Sequence, residues 1–159
     1  MIRRLTPEDA PLLRSLRIRA LSESPSAFGS TLTETVERPM SAWEQILRPD
    51  GNPFFVFEID GEVAGLAGGF IPDHSEERHL VSMWVDPNQR GRGISDELVK
   101  HVIQWARSTN AHRVVLECTE GNRRAEKLYV RHGFRRTGVS VTRERDGAVE
   151  FEMVLELNA

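Results

Sequence analysis

The chain is poor in the residues that would tie it to an oxidising compartment, a membrane or a polyanion. Cysteine occurs once, as Cys118, so no internal disulfide can form and nothing calls for an oxidising environment. No apolar run approaches the roughly 20 residues of a membrane span. The opening MIRRLTPED turns acidic where a secretory leader would turn apolar, so a cytoplasmic protein without a membrane partner is expected. Lysine is confined to Lys100 and Lys127, the rest of the 21 basic residues being arginine, and 24 acidic residues bring the net charge to −3. That balance argues against a nucleic-acid partner, which needs a basic face to neutralise phosphates. Tyrosine is also single, as Tyr129.

What remains describes an ordinary globule. The 159 residues, 39% hydrophobic and 28% charged, suit one domain over 1–159. A strand is expected over 2–5. Thr6, Pro7 and Asp9 then read as a capping box with proline at the first helical position. The helix that follows carries Leu12, Leu13, Leu16, Ala20 and Leu21 on one side and stops at Ser24-Pro25. A polar stretch leads to a second helix over 41–47. The period then changes to two: strands over 54–59 and 63–71 flank Asp60-Gly61, a strong hairpin signal, and a third strand covers 78–85. Helical spacing returns over 91–107 through Ile94, Leu98, Val99, Val102, Ile103 and Ala106. A strand over 113–119, a helix over 122–132 and a hairpin of 134–145 with 148–157 complete the chain. In the last arm Val149, Phe151, Met153, Leu155 and Leu157 alternate with Glu150, Glu152 and Glu156, leaving one face wet. The fold class is α/β: a mixed, mostly antiparallel sheet flanked by helices.

The stretch Trp84-Val85-Asp86-Pro87-Asn88-Gln89-Arg90-Gly91-Arg92-Gly93-Ile94-Ser95 ends a strand, turns at a proline and enters a helix. Backbone N–H groups of a first helical turn lack internal acceptors, and the helix dipole makes that end partly positive. Gly91 and Gly93 remove the side chains that would hold a phosphate away, and Arg90 and Arg92 add charge. Together they suit a pyrophosphate. A Walker-type loop is absent, and a dinucleotide fingerprint counted from Gly91 would put its third glycine at Asp96. A tight turn with solvated arginines is the competing reading of the glycine pair alone.

With the later stretch Asn122-Arg123-Arg124-Ala125-Glu126-Lys127-Leu128-Tyr129-Val130-Arg131-His132-Gly133-Phe134, the chain resembles the GNAT family of acetyl-CoA-dependent N-acetyltransferases. The family's Q/R-x-x-G-x-G/A pattern lies on Arg90, Gly93 and Ser95, with serine in place of the final small residue. Its N-x-x-A-x-x-L-Y-x-x-x-G-F signature lies on Asn122, Ala125, Leu128, Tyr129, Gly133 and Phe134.

The resemblance implies acetyl-CoA as co-substrate, no metal, and direct attack of an amine on the thioester in a ternary complex. It places Met83, Trp84, Val85, Arg90, Gly91, Arg92, Gly93, Ile94, Ser95 and Asn122 on the cofactor. Arg123 and Arg124 are candidates for its adenosine end. A main-chain N–H near Met83 or Trp84 would polarise the thioester carbonyl. Tyr129 lies where relatives keep a general acid, and a phenol of pKa near 10 is protonated at neutral pH. Glu117, alone in an apolar strand, is the candidate base. An ion pair with Arg113 or an arginine of a neighbouring strand is its alternative, since an unpaired buried carboxylate is costly. Glu77 and His79 are further candidate bases. Cys118 reads as a small core residue, and the five histidines show no metal-ligand spacing.

The acceptor is expected to be a small primary amine, met by Phe28, Thr31, Glu34, Trp43 and the last hairpin, whose alternating face would also suit a homodimer. Acetylation of a protein N-terminus or lysine is the nearest rival. A non-catalytic acyl-CoA-binding regulatory module is the rival of another class.

Overall fold

The computed structural model describes residues 1–25, 31–73 and 76–157. Seven strands form one sheet: β1 (Ile2–Arg4), β2 (Phe54–Ile59), β3 (Glu62–Phe70), β4 (Glu77–Val85), β5 (Arg113–Thr119), β6 (Arg135–Thr142) and β7 (Val149–Glu156), in the order β1-β2-β3-β4-β5-β7-β6. The β2–β3 turn forms at Asp60-Gly61, both at positive φ (52° and 80°), as a two-residue hairpin requires.

Among the described residues five α-helices cover the two faces: α1 (Ala10–Glu23), α2 (Leu32–Glu37), α3 (Met40–Ile46), α4 (Ile94–Ser108) and α5 (Arg123–Arg131). Leu13, Leu16 and Leu21 of α1 and Trp43 of α3 pack with Val56, Leu66 and Trp84 on one face of the sheet. Leu98, Val99 and Val102 of α4 and Leu128 of α5 pack with Leu80, Val114, Leu116 and Met153 on the other. Gly69 shows how closely α4 sits, because a Cβ there would lie 2.5 Å from the Trp105 ring.

Two local readings of the chain differ from this structure. The Thr6 capping box forms, with Thr6 N donating to Asp9 Oδ2 at 2.8 Å, but it opens a single 3-10 turn, and the regular helix begins at Ala10. The stretch read as polar loop contains α2. Its signal was present: Glu34 N donates to Thr31 Oγ1 at 3.1 Å, and Thr31 N donates to Glu34 Oε2 at 3.3 Å. That reciprocal box starts a helix even where few apolar residues follow.

The sheet is opened at its centre. β4 and β5 are the parallel pair, and they pair only through Glu77–His79 with Arg113–Val115. The β3–β4 register shifts between Leu66 and Gly68, opposite Ser82, which takes φ 58°. Such a bulge bends its strand and re-aims side chains, and for a residue with a Cβ the left-handed conformation costs about 1–2 kcal/mol. Beyond His79 β4 leaves β5, and the two strands enclose a wedge.

Candidate active site

The wedge is bounded by two cavities. The larger, of about 540 Å³, runs from the parting strands to the start of α4 and is lined by Met83, Trp84, Val85, Arg90, Gly91, Gly93, Ile94, Ser95 and Asn122. Of the ten residues assigned to cofactor by motif, only Arg92 is absent from this wall; it is exposed. Gly91 and Gly93 take φ of 83° and 78°, and a Cβ at either would meet nothing within 4 Å. The loop therefore keeps its main chain uncovered where α4 begins. Gly93 is the N-cap of a 15-residue helix, whose first N–H groups and dipole favour an anion.

Arg90 has a different immediate partner from the one its sequence position suggests. Its guanidinium pairs with Glu23 at the end of α1 and donates through Nε to the Val85 carbonyl at 3.0 Å. Glu23 also accepts from Trp84 Nε1 at 3.0 Å, and Arg19 pairs with Asp86 at 2.6 Å while lying over the Trp84 ring. α1 thus clamps both sides of Trp84 and ties the glycine loop to the far end of the first helix. The cavity's other cations come from α5, as Arg124 and Arg131. Arg131, not singled out in the sequence because it fills a variable position of the motif, is held by Asp96 at 3.1 Å.

The smaller cavity, of about 120 Å³, shares Met83, Asn122, Ala125 and Leu128 with the larger and is also lined by Ser82, Glu117, Cys118 and Tyr129. The two residues proposed for proton transfer therefore meet at one space. Tyr129 is 6% exposed, beside Phe134 in an edge-on ring contact. Burial holds its phenol above the ordinary value, so it is protonated at neutral pH. Among the described residues its hydroxyl makes no hydrogen bond. Burial also pushes the Cys118 thiol up to about 11, which leaves it neutral and a poor nucleophile. Asn122 caps α5 as its sequence position suggests, with Oδ1 accepting from Ala125 N at 3.2 Å, and it lines both cavities.

Among the described residues no ion pair is formed by Glu117. Arg113, its expected partner, turns to Glu77 and Glu156 at 3.6 and 3.7 Å. Glu117 instead stands opposite Glu152 in the β5–β7 register, with Glu150 one step along the same face. The hydrogen-bonded carboxyl of Glu150, then burial, then the charges of Glu150 and Glu152 push Glu117 up to about 7. Neither of the other candidate bases lines this cavity; Glu77 and His79 lie near each other, at 3.6 Å, where β4 and β5 are still paired.

The expected acceptor contacts are corrected in part. Trp43 is 2% exposed in the core under α1, its ring covered by Arg38; its spacing on α3 turns it inward, so it forms no cavity wall. Glu34 and Thr31 close the cap of α2 and line neither cavity. Phe28 lies outside the described residues. A cation from α1 that the sequence did not single out does reach the site: Arg17 donates to the hydroxyl of Ser82. The last hairpin is also less wet than alternation suggested, because Arg143 covers Glu150 at 2.9 Å with 12% and 14% of their side chains exposed.

A mixed sheet split between parallel strands, with a glycine loop capping the next helix, defines an acyl-CoA N-acyltransferase fold. The acetyltransferase (GNAT) family model matches residues 18–134, and the chain belongs to that family. It is 35% identical over 94 residues to N-acetylaspartate synthetase of Rattus norvegicus, an alignment covering 59% of this chain and 31% of that protein. The chain thus spans about a third of the length of that relative. It is 30% identical over 140 residues to the uncharacterised N-acetyltransferase YjgM of Escherichia coli (strain K12), covering 84% and 81% of the two chains. Among solved structures, yncA from Salmonella typhimurium, which holds its cofactor acetyl-CoA, superposes with a TM-score of 0.81 at 21% identity, over 100% of this chain and 94% of that one. Among the described residues no helix is long and apolar enough to cross a membrane.

Proposed function

We propose that the protein transfers an acetyl group from acetyl-CoA to the primary amine of a small molecule, by direct attack in a ternary complex. The observation that carries this reading is the meeting of Tyr129 and Glu117 at one cavity that shares a wall with the glycine-loop cavity. Acetyl-CoA fits the larger cavity by its donor set. Gly91 and Gly93 leave main-chain N–H groups open to a pyrophosphate, Arg124 and Arg131 stand near it, and β4 beyond His79 offers an unpaired main chain to an extended amide-bearing arm. When bound, acetyl-CoA supplies an acetyl thioester.

Glu117 takes the proton of the incoming ammonium, directly or through water, so that a neutral amine attacks. The N–C bond forms as the C–S bond breaks. Tyr129 gives its proton to the departing sulfur and regains one from the second N–H of the acylated amine through water; one proton is released overall. A main-chain N–H at Met83 or Trp84 steadies the carbonyl oxygen while it carries charge. The small-amine preference rests on the size of the second cavity, about 120 Å³, and the site contains no metal in this scheme.

The test is thiol release from acetyl-CoA across amino acids, polyamines, aminoglycosides and N-terminal peptides. Turnover with small amines and none with peptides is expected. Tight acetyl-CoA binding with no release for any amine would overturn the reading in favour of a binding module, and turnover with peptides alone would move it to a protein acetyltransferase.

A further inference from the structure

The two walls of the smaller cavity carry opposite charge, and the proposed reaction uses only one of them. On β5 the side chains of Val114, Leu116 and Cys118 pack into the core beneath α4 and α5. Glu117 alternates with them and so stands on the opposite face, the one that α1 covers. Glu152 lies directly across from it in the β5–β7 register, which makes this wall acidic. The facing wall is β4, where Ser82 lines the cavity. There the guanidinium of Arg17, reaching from α1, donates to the Ser82 hydroxyl.

Ser82 is held in this place against its own backbone preference. It takes φ 58° at the β3–β4 register shift, a conformation that disfavours a side chain, and such outliers persist where the surrounding structure over-determines them. The bulge re-aims the hydroxyl toward α1. Arg17 is half-buried. Burial, and then the charge of Arg38, lower its guanidinium to about 10, so it stays charged at neutral pH. Arg38, over the Trp43 ring at 4.8 Å, adds a second positive charge on the α1 side of the sheet.

We infer that the acceptor is an amino acid whose carboxylate is held by Arg17 with the Ser82 hydroxyl and whose ammonium faces Glu117; this rests on the proposed transfer to a small amine. A guanidinium offers a planar fork of donors that matches a carboxylate in two parallel hydrogen bonds, and a partly desolvated site strengthens them. The carboxylate is then the handle that sets the nitrogen between Glu117 and the thioester, the orientation that attack needs. Arg17 is thus a specificity-determining residue. It also selects against diamines, because a second ammonium beside the guanidinium is repelled.

The test compares amino acids with their own carboxamides, which keep the amine and lose the anion. With α-amino acids and β-alanine as acceptors, thiol release from acetyl-CoA should give at least one amino acid a kcat/KM about tenfold or more above that of its carboxamide, and above that of ethylenediamine. Arg17→Gln should lower the ratio of amino acid to carboxamide by about 10- to 150-fold, as expected for a lost hydrogen bond to a charged group. Arg17→Lys, which keeps the charge without the fork, should restore part of it. A merely structural loss would lower both acceptors together, and a ratio unmoved by Arg17→Gln would overturn the inference. So would a wild-type protein that acetylates carboxamides or ethylenediamine as readily as any amino acid, a comparison that needs no variant.

No turnover with any amine would fell the functional reading, and the subsite is then decided by isothermal titration of the same amino acids and carboxamides into the coenzyme A complex. Binding of an amino acid that Arg17→Gln weakens would keep the subsite. No preference for an amino acid over its carboxamide would overturn the subsite as well.

Discussion

Gly93→Ala and Gly61→Ala form a matched pair. Both glycines hold nearly the same φ, 78° and 80°, and at both a new Cβ meets no atom within 4 Å. The cost to the fold should therefore be similar, about 1–2 kcal/mol of left-handed strain for each. Their surroundings differ. Gly61 turns a hairpin, while Gly93 lines the larger cavity as the N-cap of α4. A methyl group there would stand between the first N–H groups of α4 and a bound phosphate. Losing one hydrogen bond to a charged group costs about 1.5–3 kcal/mol, which is roughly a 10- to 150-fold loss of affinity for coenzyme A. Urea unfolding should give both variants a similar decrement. Isothermal titration with coenzyme A should weaken for Gly93→Ala alone. Equal affinity in the two variants would refute the phosphate cradle.

Tyr129→Phe removes a hydroxyl that makes no internal hydrogen bond, so thermal stability should stay within about 0.5 kcal/mol while thiol release falls by about 10²-fold or more and coenzyme A affinity changes only a few-fold; a full rate would remove the acid assignment. Glu117→Gln should change the pH dependence of stability. Because the folded pKa is raised above the unfolded one, Glu117 disfavours the fold increasingly as pH rises from about 4.5 to about 7. The glutamine variant should gain up to about 1 kcal/mol at pH 8, less than the full shift because the carboxyl is half-exposed and screened by solvent. Urea unfolding at pH 5 and 8 checks the sign. Gly69→Ala should destabilise by about 1–3 kcal/mol, as the Trp105 ring must move to admit the methyl group, and chemical denaturation that shows no loss would refute the tight α4–sheet packing.

Some of the site was readable because its chemistry is local. The glycine loop needs only main-chain conformation and the start of a helix, both set within Asp86–Ser95, and the Asn122 cap is set within one turn. Tyr129 was visible through its place in a contiguous motif. The acceptor side was not readable in the same way. Glu34 looked like a free carboxylate because the Thr31–Glu34 box competes with no apolar pattern that would have announced a helix. Trp43 looked available because a single aromatic on a short helix gives too little periodicity to tell inside from outside. The charge on Arg90 was legible, but its partner, Glu23, lies 67 residues earlier.

The sequence by itself determined the class of fold, the glycine loop before α4 and the helix that carries the phenol, because turn chemistry, capping and hydrophobic period act over a few residues. Only the tertiary structure decided what surrounds Glu117. Arg113 was near in sequence and turned away. Glu150 and Glu152 were more than thirty residues distant and came to the same face through the β5–β7 register, which is set by pairing between strands and is not written in either strand alone.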